Sequence, residues 1–78
     1  MPRFYLHLRD GDDLIEDPDG SDLPDAEAAK QEACVSARHI LADRVRAGKA
    51  IGNQCFEIVD EVGNLCVTMW LREVLRLA

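Results

Sequence analysis

Residues Arg3 to Leu8 alternate, with Phe4, Leu6 and Leu8 on one side and Arg3, Tyr5 and His7 on the other. A period of two predicts a half-buried β-strand. Asp10-Gly11 follows, a hairpin signal because Asp tolerates and Gly favours positive φ. Leu14 and Ile15 then form a short returning strand. Asp17-Pro18-Asp19-Gly20 reads as a turn, since Pro sets φ at the second position and Gly relieves strain at the fourth.

From about Asp25 to Ala47 the period changes to that of a helix. Ala29, Ala33, Ala37, Ile40, Leu41 and Val45 recur on one stripe, so the helix has one apolar face. Asp22 or Asp25 can cap its start, and Asp25 and Glu27 complement the positive end of the helix dipole. Arg44 and Arg46 in the last turn, followed by Gly48, give a clear stop signal. An alanine-rich first half calls for close approach to whatever the helix covers. A sheet surface is the natural partner.

Cys55 to Asp60 and Leu65 to Met69 are two further strands, joined through Glu61-Val62-Gly63-Asn64. Pairing Asp60 with Leu65 sets Phe56 opposite Met69 and Ile58 opposite Val67. That register gathers Phe56, Ile58, Leu65, Val67 and Met69 on one face, and a slip of one residue would scatter them. Cys55, Glu57, Val59, Cys66, Thr68 and Trp70 share the other face. The tail Leu71-Arg-Glu-Val-Leu-Arg-Leu77 predicts a short amphipathic helix, with Leu71, Val74 and Leu75 together. The expected fold is α+β in the order ββαββ(α). It comprises a small antiparallel sheet of two hairpins, one long helix on a face and a short C-terminal helix, in a single domain spanning residues 1–78.

Charge sharpens this picture. Nine carboxylates (Asp10, Asp12, Asp13, Glu16, Asp17, Asp19, Asp22, Asp25, Glu27) fall in one window that holds no basic residue. The rest of the chain carries +3, so the net charge of −6 is a property of that segment. Clustered Lys and Arg, which nucleic-acid binding needs, are absent. An anionic membrane surface is disfavoured for the same reason. The first apolar run stops at Arg9, too short for a signal peptide, and no run approaches the roughly 18 residues of a membrane span. The expected compartment is the cytoplasm. Cys34, Cys55 and Cys66 are odd in number and form no CxxC, which predicts reduced thiols rather than a disulfide framework or zinc knuckle. A core with four aromatics (Phe4, Tyr5, Phe56, Trp70) in 78 residues is modest, and self-association is expected to supplement it.

With the elements placed, the stretch MPRFYLHLRDGDDLIEDPDGSDLPDAEAA, the alanine-rich helix and FEIVDEVGNLCVT resemble a family of small alphaproteobacterial proteins classified as a domain of unknown function. The likeness covers almost the whole chain and is most specific over residues 2–25. It implies the same organisation and no established activity. That family pattern implies a Pro-Phe junction after the last strand, where this chain has Trp70-Leu71. A weaker likeness, over about residues 3–51, is to HicB-type antitoxins, which also set a strand pair before an Ala/Glu-rich helix. It rests on pattern, through LPDAEAAKQEA and the Gly48–Ile51 exit, and this chain lacks an appended DNA-binding segment.

The acidic window admits three uses beside ordinary turn and cap chemistry. A divalent cation favours several closely spaced oxygens. However, Asp17-x-Asp19-Gly20 fails as an EF-hand, because the first ligand position would be Ile15 and Glu32 is out of place to close the loop. A site on Asp10, Asp12 and Asp13 is the remaining cation reading. The second use is a basic partner, steered to an edge formed by Asp10, Asp12, Asp13, Asp17 and Asp19; an antitoxin-like inhibitor would fit. The third is solubility alone. His7, on the non-core face beside Tyr5 and within reach of Glu16, and His39, in mid-helix, complete no catalytic constellation. No Gly-rich phosphate loop, metal-ligand spacing or nucleophile–base pair is present, so neither enzyme activity nor a cofactor is expected. The face carrying Val59, Cys66 and Trp70, continued by Leu71 and Val74, is too apolar for idle surface and is the expected oligomer face. The first expectation is therefore a non-enzymatic, self-associating interaction module, with a dimer favoured. The alternatives are an acidic inhibitor of a basic protein and a small cation-binding protein.

Overall fold

The computed structural model describes residues 1–75. Strands β1 (Arg3–Asp10) and β2 (Asp13–Ile15) form the first hairpin. The two-residue β3 (Ser21–Asp22) returns to pair with the start of β1. Helix α1 (Ala26–Arg46) follows, then β4 (Cys55–Asp60), β5 (Leu65–Trp70) and a 3₁₀ turn over Leu71–Val74. All strand pairs are antiparallel, and the order is β2-β1-β4-β5 with β3 beside β1. The α+β fold with one long helix over a hairpin-built sheet is thus the one observed. Strand β3 was not anticipated because Ser-Asp carries no apolar alternation.

The two hairpins meet through β1 and β4, from Phe4 opposite Asp60 to Arg9 opposite Cys55. This register sets Leu6 opposite Ile58 and Leu8 opposite Phe56, so both hairpins turn their apolar rows to one side. Phe4, Phe56, Ile58 and Met69 are buried there with Ala29, Ala33, Ala37 and Leu41 of the helix. The three alanines are fully buried. With only a methyl at each position, the helix backbone can come down onto large residues of the sheet. Ile40 is half-buried, whereas Val45, expected on the same stripe, is 65% exposed. Val45 instead lines an open groove with Leu41, Val74 and Leu75.

The helix ends are built from local chemistry. Asp25 is extended, and its carboxylate accepts from the Ala28 N–H at 2.8 Å, the N-cap bond. At the other end Gly48 N–H donates to Val45 O (3.1 Å) and Lys49 N–H to Arg44 O (2.9 Å). Gly48 lies at φ +70, and together these make a Schellman stop. Arg44 then ties down the exit loop. It donates to Ala50 O at 3.1 Å and lies 3.6 Å from Asp10. Buried Gln54, with its amide oxygen turned to the guanidinium, accepts from Arg44 Nε at 2.8 Å.

Two expectations are corrected in the second hairpin and tail. Phe56 faces Met69 and Ile58 faces Val67 as expected, but a bulge then sets Val59, not Asp60, opposite Leu65. The extra residue moves Leu65 to the face of Val59, where it is 59% exposed instead of buried. The physical cause lies in the turn. Asp60 N–H donates to Asn64 O at 2.9 Å, and the Asp60 carboxylate accepts from the Asn64 and Val62 N–H groups at 2.8 and 3.1 Å. The tail forms a 3₁₀ turn rather than an α-helix over residues 71–74 and Leu75 is already extended; residues 76 and 77 of the expected helix lie outside the described residues. Leu71 is fully buried and Val74 packs against the core. Both therefore belong to the helix side of the sheet and not to an exposed oligomer face.

Replacing Ala33 with Leu is expected to cost about 1–3 kcal/mol, because a buried position without spare volume must be overpacked. Val35→Ala, on the exposed side of the same helix, should stay within about 0.5 kcal/mol. Urea denaturation of both variants checks the helix orientation, and equal effects would contradict it.

Candidate interaction surfaces

The acidic window becomes one margin of the sheet, made by the β1–β2 hairpin and the loop to β3. Its carboxylates divide by use. The Asp17 side chain accepts from Leu6 N–H and Gly20 N–H, both at 3.2 Å, and thereby staples the loop to β1. Gly20 is required at that point. Its φ is +70, and a Cβ would lie 2.9 Å from Tyr5 Cε1 and 3.0 Å from Phe4 O. Asp22 pairs with Arg3 at 3.2 Å, and Arg3 also donates to the Asp19 carbonyl at 2.6 Å. Asp10 has Arg44. The side chains of Asp12, Asp13 and Asp19 are exposed.

Asp10 stands directly opposite Asp13, a cross-strand like-charge pair that costs stability. Only part of the margin is therefore occupied with holding the fold. Among the described residues no group of three or more His, Cys, Asp or Glu side chains gathers as a metal cage.

His7 does not pair with Glu16 as expected. Its Nδ1 accepts from the Asp17 backbone N–H at 3.0 Å, which assigns the ring proton to Nε2. The ring stacks on Tyr5 with centroids 6.1 Å apart and planes 17° from parallel. Both are half-buried, and with Glu16, Asp17, Val59 and Asp60 they line an open depression of about 400 Å³. Aromatic and carboxylate walls suit a cationic side chain. His39 is exposed on the helix.

The sheet face opposite the helix is the second surface. The molecule measures 38 × 29 × 17 Å; one sheet and one helix layer account for the thin dimension, and among the described residues no element covers this face. Across it, Arg9 and Glu57 form a 2.5 Å ion pair, and the Glu57 carboxylate raises the Arg9 pKa. Cys55, between Arg9 and Trp70 in the cross-strand pairing, is 3% exposed. Burial, with a smaller push from Glu57, moves its thiol up against the opposing effect of Arg9. The neutral thiol is a poor nucleophile. Trp70 is 39% exposed and carries the Arg72 guanidinium 5.5 Å from its ring centroid. Val59 is half-buried and Cys66 exposed. Of the residues expected to form an oligomer face, Val59, Cys66 and Trp70 lie on or beside this surface; Leu71 and Val74 do not.

A family model described as "Domain of unknown function (DUF6894)" matches residues 3–72. No curated protein and no solved structure matches the chain. Among the described residues no helix is long and apolar enough to cross a membrane.

The hydrogen bond from Asn64 N–H leads a set that holds the Asp60 carboxylate below the usual range. A depressed folded-state value contributes stability above the ordinary carboxylate pKa of about 3.9, lost as pH falls through the folded value. Thermal melts below about pH 4 should therefore show wild type losing stability faster than Asp60→Asn, which has no proton to bind. Parallel curves through that range would contradict this account of the turn.

Proposed function

The chain belongs to the DUF6894 family, whose description assigns no activity, and we propose that it is a non-enzymatic, self-associating protein-interaction module of the cytoplasm. The observation that carries this reading is the sheet with only one face covered. Leu65, 59% exposed, adjoins half-buried Val59 and Tyr5, and Trp70, 39% exposed, stands at the other end of the same face beside Cys55. Large side chains of this kind on a small protein mark a contact surface. Covering the face with a second copy would enlarge a core that is small for a free-standing domain. Free Cys34, Cys55 and Cys66 suit a reducing compartment.

Light scattering is expected to give a mass above the 8.7 kDa of one chain at high concentration, falling on dilution. Trp70 is the sole tryptophan, so its emission should shift to shorter wavelength as the protein associates. A strict monomer with unchanged emission at every concentration sinks this reading.

A second reading, a basic protein partner at the acidic margin, is favoured by the depression walled by Tyr5, His7, Glu16 and Asp17. A pull-down from the source cell should retain a basic protein in dilute buffer and release it near about 0.5 M salt, where exposed charges are screened. The Asp12→Asn, Asp13→Asn, Asp19→Asn triple variant should retain none. Salt-insensitive capture, or capture by the variant, would overturn it. Asp17 is left intact in that test because it holds the loop.

A further inference from the structure

The sheet has two margins of opposite character. On the β2 and β3 side, Asp12, Asp13 and Asp19 are exposed and Asp10 and Asp13 already face each other. A second copy brought to that side would meet like charge. On the other side, among the described residues β5 pairs only with β4. Its six residues, Leu-Cys-Val-Thr-Met-Trp, include no charge and no proline. Charged residues and proline are what ordinarily blunt an edge strand.

The outward backbone groups of β5 follow from the ladder. Leu71 N–H donates to Gln54 O at 3.0 Å. Antiparallel alternation then turns the N–H and C=O of Thr68 and Trp70 away from β4. The Trp70 N–H is taken by the Glu73 carboxylate at 2.9 Å, so the end of the edge is closed by the chain itself. Thr68, exposed and uncharged, is left at the open centre.

We propose that β5 pairs antiparallel with β5 of a second copy through the main chain around Thr68, joining two sheets into one about a two-fold axis. An antiparallel strand edge is self-complementary under that symmetry, because each donor meets the matching acceptor of its twin. The same arrangement places the two acidic margins at the far ends of the joined sheet, where their repulsion is least. The inference rests on the self-association reading and moves the contact from the open face as a whole to its β5 edge, the strand that carries Leu65 and Trp70.

The test uses the full chain in sedimentation equilibrium, with amide hydrogen exchange at Thr68. Thr68→Pro removes an N–H that makes no bond within the sheet, and proline is tolerated on an edge strand whose N–H faces solvent. It is expected to weaken dimerisation about tenfold or more, through two symmetry-related main-chain bonds. Thr68→Lys, which keeps the N–H but brings like charges to the axis, should weaken it as well. Asp12→Asn with Asp13→Asn should leave the dimer intact. In wild type, exchange at the Thr68 amide should slow as concentration rises. A monomer at all concentrations overturns both this inference and the self-association reading. A dimer whose affinity is unchanged in both Thr68 variants, with the Thr68 amide equally fast to exchange at every concentration, overturns the strand pairing alone. Should Thr68→Pro fail to fold, Thr68→Lys and the wild-type exchange decide.

Discussion

A single helix must cover the sheet, and it can do so only on one side. The close contact between the Ala29, Ala33 and Ala37 row and the Phe4, Phe56, Ile58 and Met69 surface is the interaction on which the rest depends. Alanine contributes little apolar area of its own. Its value is that it lets the helix backbone descend onto larger side chains, so that those side chains are buried on all sides. The 3₁₀ turn reinforces the same layer by placing Leu71 and Val74 against the helix. The buried core is thus committed to one face, and the other is left to Tyr5, Val59, Leu65, Trp70 and the Arg9–Glu57 pair.

That one-sidedness also organises the charge. The acidic window is long in sequence but becomes a single margin in space, because the β1–β2 hairpin, the Asp17 loop and β3 all gather on the outer side of β1. Some of its carboxylates are structural in a strict sense. Asp17 holds two backbone N–H groups, Asp22 and Asp10 hold arginines, and Asp25 caps the helix. Asp12, Asp13 and Asp19 have no comparable task in the fold, and the direct opposition of Asp13 to Asp10 works against it. The opposite margin, β5, is neutral along its whole length. The molecule is consequently polar in the plane of its sheet, with a charged end and an uncharged end. That asymmetry favours meeting a second copy at one end and a basic surface at the other.

Much of the local structure was legible because it rests on short-range chemistry. The alternation of Phe4, Leu6 and Leu8, the Asp25 cap, the Gly48 stop and the Phe56–Met69 register each involve neighbours or near neighbours and are observed. Readings failed where a non-local or competing interaction entered. The Asp60 carboxylate gathers the Asn64 and Val62 amides and forces a bulge, which expels Leu65 from the core face. His7 was within reach of Glu16 by pattern, yet the loop brings the Asp17 amide to its Nδ1 instead. Strand β3 has no apolar residue by which to announce itself. Leu71 and Val74 read as a surface stripe because nothing local says that the tail folds back over the helix.

The sequence by itself determined the existence of β1, β2, α1, β4 and β5 and most of the apolar face of each, since periodicity and capping act within a few residues. It also determined that the charge is concentrated in one segment. Only the tertiary structure decided that β1 and β4 lie side by side at the centre, leaving β2 and β5 as the margins. The pairing of β1 with β4 joins residues about fifty positions apart, and strands that present the same apolar side can be ordered in several ways. What selects one order is the fit of a single alanine-faced helix over the combined surface. That fit sets the acidic residues along one end of the sheet and leaves the neutral strand at the other.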